Sequence, residues 1–98
     1  MDIQALAIEC LGDTLIRTGP GLVYAIHLSL VDVEVGDTIV LRDAVAAGAG
    51  TVLFTFVAND EDQSYQFCPC IPFHCETGIY LDVTLTGGGT ANVTVIYS

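Results

Sequence analysis

The chain lacks lysine and tryptophan, and its only bases are Arg17 and Arg42 against twelve acids, a formal net charge of −10. Two guanidinium groups cannot neutralise a track of phosphates, which excludes nucleic acid and anionic membrane surfaces as partners. Charge of either sign is scarce: 14% of the 98 residues, against about 25% in an average soluble domain. Long hydrophobic runs are lacking too. The longest apolar-leaning stretch, Leu22 to Val31, is interrupted by His27 and Ser29, whereas a membrane-spanning helix needs ~20 residues, so no membrane partner is expected. Met1-Asp2-Ile3-Gln4 has no basic start of a signal peptide, which predicts assembly in a cytoplasm. Enzymatic motifs are missing as well: no G-x-S-x-G elbow, no H-E-x-x-H, no phosphate loop with its lysine. A non-enzymatic protein without cofactor is the expectation.

What the chain does have is hydrophobicity, 52% of its residues, arranged with a period of two. Tyr24, Ile26, Leu28 and Leu30 alternate with Ala25, His27 and Ser29; Ile39 and Leu41 with Val40 and Arg42; Val52, Phe54 and Phe56 with Leu53, Thr55 and Val57. Ile79, Leu81, Val83 and Leu85 follow the same rule, as do Val93, Val95 and Tyr97. This is the pattern of half-buried strands rich in β-branched and aromatic residues. Turn clusters separate them: Thr18-Gly19-Pro20-Gly21, Val35-Gly36-Asp37, Gly48-Ala49-Gly50, Asn59-Asp60-Glu61-Asp62 and Gly87-Gly88-Gly89. Asp43 to Ala49 reads as a loop, and Ile3 to Leu11 suits either a helix or a strand. About seven or eight strands, spaced by roughly 8–15 residues, predict an all-β fold: one antiparallel β-sandwich, jelly-roll-like, spanning residues 1–98, with 1–11 as an amino-terminal arm or edge strand.

Some strands are apolar on both faces. Leu53 and Val57 lie opposite the Val52, Phe54, Phe56 row, and Ile96 lies opposite Val95 and Tyr97. A sandwich covers only the inner face of each sheet, so Leu53, Val57 and Ile96, with outward-facing His27, are interface candidates in a homo-oligomer.

The cysteines carry the other candidate chemistry. Cys68, Cys70, His74 and Cys75 offer thiolates and an imidazole to a metal such as zinc, but in C-x-C and H-C spacing rather than the C-x2-C of a zinc knuckle. Cys68 and Cys70 on one strand would stand roughly 6.5–7 Å apart, too far to bond to each other comfortably. A disulfide from Cys10 to Cys68, Cys70 or Cys75 stays open. Free, buried thiols acting as small hydrophobes are the expected state. Asn59-Asp60-Glu61-Asp62 lacks the alternating ligands of a calcium loop and reads as a solvated hairpin tip.

The segments Thr18-Gly19-Pro20-Gly21-Leu22-Val23-Tyr24-Ala25-Ile26, Val40-Leu41-Arg42-Asp43, Gly50-Thr51-Val52-Leu53-Phe54, Gly78-Ile79-Tyr80-Leu81-Asp82-Val83-Thr84 and Val93-Thr94-Val95-Ile96-Tyr97 together resemble small β-sandwich virion proteins of tailed bacteriophages. The resemblance spans roughly residues 15–98. It implies a capsid decoration (cement) protein on the virion surface, assembled in the host cytoplasm, with the major capsid protein as partner. Three-fold sites abound in capsid lattices, so a homotrimer is the favoured oligomer. The cysteine-rich stretch before Gly78 departs from the pattern, and the resemblance transfers no role to it. Alternatives are a tail, adaptor or fibre-associated module of the virion, and a ligand- or carbohydrate-binding sandwich.

Overall fold

The computed structural model describes residues 3–10 and 13–98, and, among side chains, those of residues 3, 4 and 13–98. It is all-β. The strands are β1 (Gln4–Cys10), β2 (Thr14–Thr18), β3 (Gly21–Val31), β4 (Thr38–Asp43), β5 (Thr51–Val57), β6 (Gln63–Phe67), β7 (Phe73–Cys75), β8 (Gly78–Thr84) and β9 (Thr90–Tyr97). They form two antiparallel sheets. One has the order β1-β9-β3-β6, with the short β7 also paired to β3; the other has the order β2-β8-β4-β5. The amino-terminal stretch is therefore an edge strand rather than a helix, with Gln4 opposite Tyr97 and Cys10 opposite Ala91.

The inner faces meet in one core of Val23, Ile26, Leu28, Leu30, Ile39, Leu41, Ile79, Leu81, Val83, Val93 and Val95, all buried. In β9 the two-residue alternation holds throughout, and in β8 it holds from Ile79 to Thr84. In β3 and β5 it breaks. A register shift between Val23 and Ala25 leaves both buried and puts Tyr24 out of step with Ile26, contrary to the strict alternation. A second shift, with Leu41 opposite Phe54 but Arg42 opposite Val52, makes Leu53 the extra residue of a bulge. Bulges of this kind re-aim side chains near sheet edges.

Where β5 and β6 close one side of the sandwich, aromatic rings fill the gap. Phe54 stacks on Phe67 at 5.1 Å between centroids and on Tyr65 at 6.1 Å, Phe56 lies 5.1 Å from Tyr65, and Phe67 stacks on Phe73. Neighbouring rings at such distances add to the area they bury.

Two carboxylates organise the loops. Asp37, buried at the start of β4, accepts from the Glu34 amide at 2.9 Å and from the Thr86 amide and hydroxyl at 3.2 and 2.7 Å. Burial pushes its pKa up, yet these hydrogen bonds outweigh it and hold the carboxyl below its ordinary value. Asp43, at the end of β4, accepts from the amides of Glu76, Thr77 and Gly78 at 2.8 to 3.2 Å and so aims the β7–β8 turn. The amide of Glu76 is the main cause of its lowered pKa. Only glycine fits at position 50, where φ is +66° and an added Cβ would fall 2.0 Å from the Asp43 carbonyl oxygen.

Candidate interaction face

The outward side of the β2-β8-β4-β5 sheet is built by the alternation that buries Ile39, Leu41, Ile79 and Leu81 on its inner side. The register aligns its outward residues in rows across the strands: Leu15, Tyr80, Arg42 and Val52 in one, Asp82, Val40 and Thr55 in the next, Thr84, Thr38 and Val57 in the third. Three large apolar side chains stand open to solvent there, Leu15 at 45%, Val52 at 49% and Val57 at 55% exposure, while Val40 and Tyr80 are half-buried between them.

The charges on this face are tied up with each other. Arg42 Nε donates to Asp82 Oδ2, and the Gly48 amide reaches the same oxygen at 3.2 Å. Asp82 Oδ1 is buried, with no hydrogen-bond partner among the described residues. Burial, together with the negative charges of Asp13 and Asp82, raises the pKa of the Tyr80 phenol, which keeps it neutral at any ordinary pH.

Of the two candidates on β5, Val57 is exposed on the outward side, whereas Leu53 is half-buried. The bulge turns Leu53 out of the outward row, and it packs against the core. Val52, expected inside with Phe54 and Phe56, takes the outward place instead. A single-residue bulge leaves no signature in an alternation of Val, Leu and Phe. Leu15 was missed because a register shift between Leu15 and Arg17 blurs the period of β2.

Ile96 and His27 lie on the other sheet. Ile96 is half-buried, paired with Ala5 and Ala25. His27 is exposed, flanked by Thr94 and Gln66, with Asn92, Ser29 and Ser64 forming the adjacent row. These six line a shallow concavity of about 430 Å³ on that sheet. A second concavity, of about 500 Å³, opens at the end of the sandwich near Arg17, Pro20, Leu22 and His74. Arg17 there donates from Nε to the Pro20 carbonyl at 2.7 Å.

The cysteine-rich segment is split by the fold. Cys75 ends β7 inside the core, fully buried, whereas Cys68 and Cys70 sit exposed in the loop before it. The expectation of buried thiols is therefore corrected for those two: the Pro69 and Pro72 turn runs over the surface, and only β7 turns inward. Cys68, Cys70 and Cys75 are free, and Cys68 Sγ lies 3.6 Å from the Tyr24 carbonyl. The side chain of Cys10, the partner in the candidate disulfide, lies outside the described residues. Burial, followed by the nearby charge of Asp43, pushes the Cys75 thiol up to about 11. Among the described residues no three His, Cys, Asp or Glu side chains are grouped to hold a metal ion, so Cys68, Cys70, His74 and Cys75 are not brought together as ligands. Asp62, in the acidic hairpin tip, instead accepts from the Asp32 amide at 3.1 Å.

Compared with protein-family models and with curated proteins, the chain matches none.

Proposed function

We propose that the chain is a non-enzymatic structural protein of a tailed-phage virion, a capsid decoration protein whose homo-oligomers bind and stabilise the shell of major capsid subunits. The observation that carries this reading is the apolar outward face of the four-stranded sheet, Leu15, Val40, Val52 and Val57, in a chain of net charge −10. Large exposed apolar patches mark interaction sites. Exposed acids such as Asp32, Glu34, Asp60, Glu61 and Asp62 keep the uncovered surface soluble and repel free nucleic acid. The strand and turn segments that resemble phage virion proteins supply the class of partner.

Co-sedimentation with capsid shells lacking the chain tests it. The parent protein pellets with the shells, and Val57→Lys, a change at an exposed position, weakens that binding by about tenfold or more, as loss of a central contact does. A parent that stays in the supernatant, or a Val57→Lys variant that binds as well as the parent, overturns the proposal.

A second reading draws on the other sheet. The concavity lined by His27, Ser29, Ser64, Gln66, Asn92 and Thr94 presents hydrogen-bond donors and acceptors of the kind that bind a carbohydrate. A glycan array on which the parent binds and His27→Ala does not would favour that reading.

A further inference from the structure

An exposed sheet edge is a row of unpaired N–H and C=O groups, and proteins ordinarily guard it with charge, proline or distortion. On one side of this sandwich the edges are β1, which contains Glu9, and β2, which contains Arg17. On the other side the edges are β5, Thr51-Val52-Leu53-Phe54-Thr55-Phe56-Val57, and β6, Gln63-Ser64-Tyr65-Gln66-Phe67. Neither contains a charged residue or a proline. β5 is the longer of the two, its outward Thr55 and Val57 are exposed, and the stacked rings of Phe54, Phe56 and Tyr65 hold it from beneath. The bulge at Leu53 leaves Phe54 to Val57 as its regular part.

Charge selects the direction in which such an edge can pair with a copy of itself. Asp60, Glu61 and Asp62 follow β5 after Ala58 and Asn59, and Asp32 and Glu34 sit at the same end of the sandwich, all five acids exposed. The turn before β5, Ala44 to Gly50, has no charge. Parallel pairing would set the two acidic loops side by side, where like charges repel. Antiparallel pairing sets each acidic loop beside the other copy's uncharged turn. It is also the arrangement that a two-fold axis generates, with one patch meeting itself.

We propose that β5 is a self-association edge, paired antiparallel with β5 of a second copy about a two-fold axis at Thr55. Thr55 then faces Thr55 of the other copy, and Phe54 faces Phe56. The two four-stranded sheets become one of eight strands, and their apolar outward faces join into a single surface. This pairing does not depend on what that surface binds.

Sedimentation equilibrium on the full chain and two variants tests it. The parent is expected to sediment at twice the 10.3 kDa chain mass. Thr55→Lys and Thr55→Glu each place like charges opposite one another and sediment as single chains, with unchanged far-ultraviolet circular dichroism. Their equimolar mixture returns to twice the chain mass, which requires position 55 to face itself. As a check that does not rely on weakening the contact, Thr55→Cys in a Cys68→Ser, Cys70→Ser background forms a cross-linked dimer on mild oxidation. A parent of single-chain or three-fold mass, a Thr55→Lys variant that keeps the parent mass, or a Thr55→Cys chain that does not cross-link overturns the pairing, and none of these results bears on shell binding.

Discussion

Asp43 shows how one side chain can decide the path of several residues. Its carboxylate gathers three consecutive amides, and each bond to a charged acceptor is stronger than a neutral one. Replacing it with alanine is expected to cost about 1–2 kcal/mol in urea unfolding, the lower end of what such bonds supply because solvent reaches the site. Asp37 and Asp43 both have lowered pKa values in the folded chain. Their contribution to stability is therefore complete above the ordinary carboxylate pKa, near ~4, and is lost as pH falls through the lower folded values. Urea midpoints measured downward from pH 5 should drop less steeply for a Asp37→Asn, Asp43→Asn double variant than for the parent. Thiol chemistry divides at the same scale. Cys68 and Cys70 should be alkylated rapidly in the native protein at pH 8. Cys75, buried and titrating near 11, should be labelled only after unfolding, as peptide mapping by mass spectrometry would show.

Among the elements, legibility followed the amount of apolar residue on each strand. β8 and β9 could be read directly from Ile79, Leu81 and Val83 and from Val93, Val95 and Tyr97, because both strands are central and every second residue enters the core. β6 could not, since Ser64 and Gln66 face outward and its inward residues are Gln63, Tyr65 and Phe67. β7 has only Phe73, His74 and Cys75, too few to show a period. The apolar outward face was legible at Val57 but not at Val52 and Leu53, whose roles the bulge exchanges. Mutation should expose that exchange. Leu81→Ala, in the fully buried centre of β8, is expected to cost about 2–5 kcal/mol, whereas the outward change Val57→Lys should stay within about 0.5 kcal/mol of the parent. Denaturant midpoints for the two variants separate core from face.

At the scale of the whole molecule, the proposed function gives scarce charge and abundant hydrophobicity a common explanation, surface that a partner covers. Five exposed acids, Asp32, Glu34, Asp60, Glu61 and Asp62, collect at one end of the sandwich, and the flat faces and the β5–β6 side are left largely without charge. A decoration protein needs that division, one surface to bury and another to keep in water. Its copy number in the particle is the most direct test. On the proposed reading, quantitative mass spectrometry of purified phage virions should find the chain in fixed proportion to the major capsid subunit. Its absence from the particle, or its presence in only the few copies that a tail component requires, would contradict the account.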